Sequence, residues 1–219
     1  MGARNSQSAP LKEPQMASNE VFPDDFSQCV AFHGHVCPGL AIGYAAVASA
    51  RAMLGSARAD DEEFVAIVEN DSCAVDAVQV LTGCTFGKGN LIFRDWGKQV
   101  FTLLERKTGR AVRVSLRNRA LPGNEERKAL KAKIDAGEAS QAEQEKWDEL
   151  RREAVIALIR GDPVDFFEVR EVTVETPPYA SVVGTEPCAG CGEPTMRSRL
   201  VDTTEGLICK ECAQVRCSG

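Results

Sequence analysis

The spacing of apolar and polar residues predicts two helices on either side of a buried strand. Residues 38–54 form an Ala-rich run with a single charged residue, which is typical of a buried helix. Pro38 suits the first helical turn and Gly55 suits a C-terminal stop. Residues 64–68 are continuously apolar and rich in β-branched side chains, so they indicate a strand buried on both faces. Helical spacing returns over residues 74–82.

Three further strand candidates predict that the sheet is mainly antiparallel. They are residues 91–94, 100–104 and 111–116, and the last of them alternates cleanly between apolar and polar positions. Consecutive strands joined by short turns pair antiparallel. We therefore predict an α+β fold, with a mixed, mainly antiparallel sheet packed with helices, and not a doubly wound sheet. Residues 166–174 indicate a returning strand.

Residues 124–161 differ in character and predict a helical hairpin inserted between strands. Ser140 and Glu143 form a capping box at the start of the second helix, and Trp147 and Leu150 belong to its inner stripe. Mixed charge on helix faces is common. We therefore expect a solvated hairpin without a catalytic duty, and its role stays open.

The organisation of the chain follows from these elements. Residues 1–20 are polar, contain two prolines and show no periodicity, so we predict a disordered tail. Residues 21–180 form the α+β core, with the hairpin as an insertion. Residues 185–219 form a small separate module.

The segment His33-Gly-His35-Val-Cys37 concentrates metal-binding chemistry. Both histidines of the chain lie here, and Cys37 falls at the N-cap of the predicted helix, where exposed amides favour a thiolate. In an extended segment, these three side chains would project to one face. Cys73 lies at the start of the next helix, so we expect the two helix N-termini to adjoin and to form one site.

Two interpretations of this core site remain open. In the first, a transition metal (zinc, nickel or iron) is bound by His33, His35, Cys37 and Cys73. In the second, Cys73 or Cys37 is a catalytic nucleophile with a histidine as its base. Asp76 is expected to orient a ring nitrogen. A glycine-rich turn at residues 83–90 is expected to carry Cys84 and Lys88 towards this site.

The C-terminal cysteines form the strongest motif in the chain. Cys188 and Cys191 are separated by seventeen residues from Cys209 and Cys212, which is the spacing of a four-thiolate structural zinc site. We predict a treble-clef or zinc-ribbon module in which metal binding supplies most of the folding free energy.

Composition narrows the functional classes. The net charge of −6 argues against general nucleic-acid binding, and no run approaches the ~20 apolar residues of a membrane span. An odd number of cysteines without a secretory signal favours a reducing cytoplasm over a disulfide framework.

Three segments resemble the FmdE family, which is named for formylmethanofuran dehydrogenase. They are HGHVCPGL at residues 33–40, DSCAVDAVQ at 71–79 and LTGCTFGKGN at 81–90, and the C-terminal cysteine pairs follow them. The resemblance covers about residues 25–180. It implies an α+β core, commonly dimeric, with a site formed by the histidine–cysteine segment and Cys73.

The resemblance also implies association with the tungsten or molybdenum oxidoreductase that reduces carbon dioxide onto methanofuran in methanogenesis. Members also occur outside methanogens, and nothing in this chain resembles a pterin-binding or ferredoxin domain. Enzymatic activity is therefore left open, and three hypotheses follow. They are an accessory subunit or single-carbon-metabolism protein, a stand-alone metal- or thiol-dependent enzyme, and an adaptor or regulator that binds a protein through its zinc module.

Overall fold

The computed structural model describes residues 21–55, 58–118, 121–180, 183–204 and 206–217, with side chains up to residue 215. The predicted disordered tail lies outside these residues. The chain divides into two compact units, one ending at Tyr179 and one beginning at Ala180. No helix in the described ranges is both long enough and apolar enough to cross a membrane.

The first unit contains six helices and five strands among its described residues. The helices are α1 (Asp24–His33), α2 (Pro38–Leu54), α3 (Ala74–Thr82), α4 (Asn124–Asp135), α5 (Gln141–Arg160) and α6 (Pro163–Phe166). The strands are β1 (Phe64–Val68), β2 (Leu91–Phe93), β3 (Val100–Glu105), β4 (Ala111–Leu116) and β5 (Phe167–Val172).

The five strands form one sheet in the order β2-β1-β3-β4-β5. β2 runs parallel to β1, and every other neighbouring pair is antiparallel. The predicted α+β class with a mainly antiparallel sheet is therefore confirmed. All five residues of β1 are buried, as their continuous apolar character indicates.

The main core lies between one face of the sheet and the helices. Phe64, Ala66 and Val68 point to this face and pack with α2, whose alanines and Leu40 fill the interior. The opposite face carries a smaller cluster formed by Val65, Ile67, Leu104 and Ala111. Alternate residues of β1 thus belong to two different clusters, which explains why the strand has no polar face.

The helical hairpin formed by α4 and α5 is packed on the core. The predicted capping box is present: the Ser140 amide donates to the Glu143 carboxylate at 2.9 Å, and the Glu143 amide donates to the Ser140 hydroxyl at 3.3 Å. Val155 and Leu158 in the second half of α5 belong to the main core. The first half packs on α4 through a separate cluster, made of Leu130, Trp147 and Leu150 with the partly buried Ile134.

The second unit contains two small hairpins and one helix among its described residues. Its elements are β6 (Thr185–Pro187), β7 (Pro194–Met196), a 3₁₀ turn (Arg197–Arg199), β8 (Leu200–Thr203), β9 (Gly206–Cys209) and α7 (Lys210–Cys217). β6 pairs with β7, and β8 pairs with β9, both antiparallel.

Helices α2 and α3 approach each other so closely that glycine is required at the crossing. A Cβ atom added to Gly43 would lie 2.1 Å from the carbonyl oxygen of Ala74, well inside the distance at which atoms can coexist. One turn earlier, a Cβ on Gly39 would lie 3.0 Å from the Cβ of Cys73. These two glycines hold the N-termini of α2 and α3 side by side.

We predict that Gly43→Ala destabilises the fold, because the new methyl group must push the backbone of α3 away from α2. The expected loss in the free energy of unfolding is about 1–3 kcal/mol, the range typical of an overpacked core. Urea unfolding followed by circular dichroism measures it. The matched control is Gly87→Ala, whose Cβ would meet nothing within 4 Å. A Gly43→Ala variant as stable as this control would contradict the close approach.

Candidate functional site

His33 reaches the core site because α1 ends there. Gly34 follows in the left-handed conformation with φ 99°, and its amide donates to the Val30 carbonyl at 2.8 Å. Glycine adopts this conformation without the penalty that a Cβ brings. The extended segment predicted for residues 33–37 is therefore wrong at its start. The side chains of this segment come together because α1 ends at His33 and the chain turns at Gly34, not because residues alternate along a strand.

The ring of His33 is fixed by a carboxylate on another helix. Nδ1 of His33 lies 2.7 Å from Oδ2 of Asp76, which is in the first turn of α3. The other ring nitrogen, Nε2, faces the Cys37 sulfur at 3.8 Å. An aspartate that accepts from Nδ1 leaves Nε2 with its lone pair directed at the site, as is usual for metal-binding histidines. The ring of His35 lies 4.5 Å from that of His33, centroid to centroid.

Cys37 is the N-cap of α2, as its position before Pro38 predicts. Its sulfur accepts a hydrogen bond from the Leu40 amide at 3.3 Å. Burial nevertheless raises the pKa of the Cys37 thiol to about 11; the Leu40 amide opposes this rise, and neighbouring Cys73 adds to it. Desolvation therefore opposes the thiolate that the helix terminus alone favours. A bound cation would reverse this balance.

Cys73 is placed by a tight polar turn after β1. The Asn70 side chain donates to the Lys98 carbonyl at 2.7 Å and accepts from the Ser72 hydroxyl at 2.7 Å. This turn sets the start of α3 against α2. A Cβ on Gly39 would lie 3.7 Å from the Cys73 sulfur and 3.8 Å from the Cys37 sulfur, so both sulfurs flank one point. Asn70 is a positioning residue that the sequence pattern did not single out. Its place two residues after the end of a buried strand is the signal that could have revealed it.

The arrangement matches what a transition metal requires. Ligand atoms of His33, His35 and Cys37 all lie within 4.8 Å of one another. Around a tetrahedral zinc ion, with bonds of about 2.0 Å to nitrogen and 2.3 Å to sulfur, neighbouring ligand atoms are about 3.6 Å apart. The separation of 3.8 Å between Nε2 of His33 and Sγ of Cys37 is close to that value. Cys73 is adjacent but is not one of the residues whose ligand atoms lie within 4.8 Å of one another, so three of the four predicted ligands are brought together.

Lys88 and Cys84 do not join this site. The Lys88 ammonium donates to the carbonyls of Gly83 at 2.9 Å and Asp60 at 3.0 Å, beside the chain entering β1. Cys73 follows the other end of that strand. Cys84 is fully buried in the main core. The glycine-rich turn is therefore stabilised by an internal lysine, and the expectation that it contributes to the site is wrong.

The four cysteines of the second unit form another cluster. Ligand atoms of Cys188, Cys191, Cys209 and Cys212 lie within 4.8 Å of one another, and the Cys191 and Cys209 sulfurs are 4.0 Å apart. This is close to the sulfur–sulfur separation of about 3.8 Å in a tetrahedral zinc site. The four groups suit a metal such as zinc.

Backbone amides surround the sulfurs of this cluster. The Cys188 sulfur accepts from the amides of Cys209 at 3.1 Å and Gly190 at 3.3 Å. Amide donors, first those of Cys191 and Cys209, lower the pKa of Cys188 to about 6. Glycine suits position 190, because a Cβ there would lie only 3.0 Å from the Cys212 sulfur. The turn that joins Cys188 to Cys191 therefore favours a thiolate at Cys188.

Comparisons with known proteins agree with the resemblance seen in the sequence. The family model described as "FmdE, Molybdenum formylmethanofuran dehydrogenase operon" matches residues 32–168. An FmdE-like protein of the tungsten formylmethanofuran dehydrogenase type, from Syntrophus aciditrophicus, has a similar crystal structure, with a TM-score of 0.59 and 26% identity. That match covers 87% of this chain and 90% of the other.

A longer protein also shares sequence with this chain. A "Probable S-adenosyl-L-methionine-binding protein" from Archaeoglobus fulgidus is 32% identical over 189 residues. The match covers 83% of this chain and 50% of the relative, so the chain spans about half the length of that protein.

We predict that Asp76→Asn weakens metal binding at the core site by about 10- to 100-fold, the usual effect of removing a carboxylate that orients a ligating histidine. Competition of the metal-loaded full chain against a chromogenic chelator measures the affinity. Asp60→Asn, which removes an exposed carboxylate in the loop before β1, is the control. Equal affinities for the two variants would contradict the orienting role.

We also predict that chelation unfolds the second unit and leaves the sheet of the first unit intact. Two short hairpins and one helix bury little apolar surface, so a structural metal contributes about 10 kcal/mol or more to such a module. Hydrogen exchange of the full chain before and after chelation should show loss of amide protection at β8 and β9 but not at β3 and β4. A Cys188→Ser/Cys191→Ser variant should show the same loss without chelator. Retained protection of β8 and β9 would be incompatible with a metal-dependent module.

Proposed function

The chain belongs to the FmdE family, and on that premise we propose that it is a metal-binding protein of single-carbon metabolism. In this proposal His33, His35, Cys37 and Cys73 hold a transition metal, while the four C-terminal cysteines hold a structural zinc ion. We propose that it acts as an accessory to a molybdenum or tungsten oxidoreductase. In the second unit, the turn from Cys188 to Cys191 is followed by the β8–β9 hairpin and α7. This order suits a treble-clef module that could bind a protein partner.

One observation supports the proposal most directly. Asp76 in α3, His33 at the end of α1 and Cys37 at the N-terminus of α2 lie next to one another, with the His33 ring in the middle. Nδ1 of His33 is held by Asp76 at 2.7 Å, and Nε2 faces the Cys37 sulfur at 3.8 Å. His35 completes a set of three ligand atoms within 4.8 Å. A histidine held by a carboxylate on one side and facing a sulfur on the other is the usual arrangement at a metal centre.

For Cys37, burial favours the role of a metal ligand over that of a metal-free nucleophile. A nucleophilic cysteine needs a lowered pKa, whereas burial raises the pKa of Cys37 to about 11. A metal ion supplies the positive charge that makes a buried thiolate stable. Cys37 therefore suits a ligand more than a free reactive thiol.

A stand-alone enzyme is the second candidate, and the number of ligands favours it. Three protein ligands in one cluster, rather than four, are typical of catalytic metal sites, where one position stays open to water or substrate. A metal bound there would supply Lewis-acid chemistry. His33 would then keep its orientation through Asp76, and Cys73 would lie beside the open position.

Homodimerisation is expected from the family resemblance. S-adenosyl-L-methionine is named for the Archaeoglobus fulgidus relative, of which the chain matches half.

Reciprocal cysteine variants of the full chain test the proposal. The wild-type chain should bind two metal ions, measured by inductively coupled plasma mass spectrometry after removal of loose metal. Cys37→Ser/Cys73→Ser should lose one ion and keep the other. Cys188→Ser/Cys191→Ser should lose the complementary one, because the clusters lie in different units.

The control is Cys29→Ala, which removes a buried thiol outside both clusters and should leave the metal content unchanged. If Cys37→Ser/Cys73→Ser retains both ions, the core metal site is wrong and a metal-free thiol mechanism replaces it. Copurification of molybdenum or tungsten oxidoreductase subunits with the wild-type chain would support the accessory role. Turnover by the chain alone would favour the enzyme.

A further inference from the structure

A cationic pocket lies on the helical hairpin, at the end of α2 that carries the core site. Its volume is about 300 Å³. It is lined by Pro38, Asn124, Arg127, Lys128, Lys131, Trp147 and Arg151. Four of these seven residues are cationic and none is acidic. The sequence of the hairpin predicts mixed charge, and the fold gathers cationic side chains at this pocket.

Helical spacing explains how the charge becomes concentrated. Along α4, the pocket-lining residues are spaced one to three positions apart, which places them on the side that faces the pocket: Asn124, Arg127, Lys128 and Lys131. Trp147 and Arg151 are four residues apart on α5. The Leu130–Trp147–Leu150 cluster holds the two helices together. Because of this packing, one face of α4 and one face of α5 line the same pocket.

Arg127 carries positive charge that its neighbours do not neutralise. Its Nε is buried and has no hydrogen-bond partner within the described part of the chain, while a terminal nitrogen donates to the Asn124 side-chain oxygen at 3.4 Å. Burial lowers the pKa of Arg127, and the charge of Arg151 lowers it further. Two guanidinium groups that repel each other across a pocket favour an anion between them.

The carboxylates that pair with two of these cations do not line the pocket. Asp148 lies 3.5 Å from Arg151, and Asp135 pairs with Lys131 one turn further along α4. The guanidinium of Arg151 also covers the ring of Trp147, with its central carbon 4.4 Å from the ring centroid. This contact holds the arginine in place against a flat apolar wall.

The pocket borders the core site through α2. Pro38, which lines the pocket, directly follows Cys37, and successive Cα atoms are about 3.8 Å apart. The positive end of the α2 dipole lies at the same place. The edge of the pocket therefore lies one residue along the chain from a candidate ligand of the core site.

We propose that this pocket binds a multiply charged oxyanion group, a phosphate ester or a dicarboxylate, of the small molecule handled at the core site. The link to that site depends on the proposed function, whereas anion binding by the pocket does not. Two of the four cationic side chains are paired with carboxylates outside the pocket, so the remaining positive charge suits an anion with a charge of about two. A guanidinium group can donate two parallel hydrogen bonds to such a group.

Isothermal titration of the full chain with inorganic phosphate and with succinate, at constant ionic strength, tests the pocket. At least one probe should bind with one-to-one stoichiometry, and the one that binds distinguishes phosphate from carboxylate chemistry. Arg127→Gln and Arg151→Gln should each weaken that binding at least tenfold. Lys128→Gln, an exposed change that spares the packing, should weaken it at least threefold. Arg160→Gln removes an exposed charge at the end of α5 and should leave it unchanged.

Fluorescence locates the bound probe. In a Trp96→Phe background, Trp147 is the remaining tryptophan, so its emission should change on titration with the same dissociation constant. The proposal is overturned if neither probe saturates, or if Arg127→Gln and Lys128→Gln bind as well as Arg160→Gln.

The Cys37→Ser/Cys73→Ser variant separates this proposal from the proposed function. Its pocket residues are intact, so it should bind the probe as the wild-type chain does, even after losing the core metal. Loss of probe binding in that variant would place the anion at the metal centre and would overturn the pocket. Retained binding together with unchanged metal content would support the pocket and refute the core metal site.

Discussion

The close approach of α2 and α3 is the constraint on which the core site depends. Gly39 and Gly43 lack the side chain that would separate the two helices, so the backbone of α3 lies directly against α2. This contact places Cys73 beside Cys37 and brings Asp76 to the ring of His33. Because the same two helices fill the main core under the sheet, the packing that stabilises the fold also positions the site.

Burial raises the pKa of one cysteine of this chain, whereas amide donors lower the pKa of another. In the core site burial keeps solvent away from Cys37, and the pKa rises because a lone thiolate there has too few compensating partners. In the C-terminal cluster, amides point at Cys188 and lower its pKa. In the same cluster, a hydrogen bond with the Cys209 thiol raises the pKa of Cys212 to about 12. Both clusters therefore need a cation to hold all of their sulfurs as thiolates.

The hairpin shows how one element can serve both packing and binding. Its apolar stripe attaches α5 to the main core and α4 to α5. The adjacent stripe gathers arginine and lysine around a shared space next to Pro38. Because α5 packs on α2, which begins at the core site, a hairpin distant in sequence from Cys37 contributes charge next to Pro38.

The amino-acid sequence by itself determined the elements whose signals are local. The bounds of α2 follow from Pro38 and Gly55, the start of α5 from its capping box, and the metal spacing of the C-terminal cysteines from their positions. Tertiary structure alone decided what depends on distance in space. The packing of α3 against α2, the burial that raises the pKa of Cys37, the internal role of Lys88 and the sorting of charge on the hairpin all arise from contacts between different elements. Periodicity reports which face of an element is apolar, but it carries no information about which other element will cover that face.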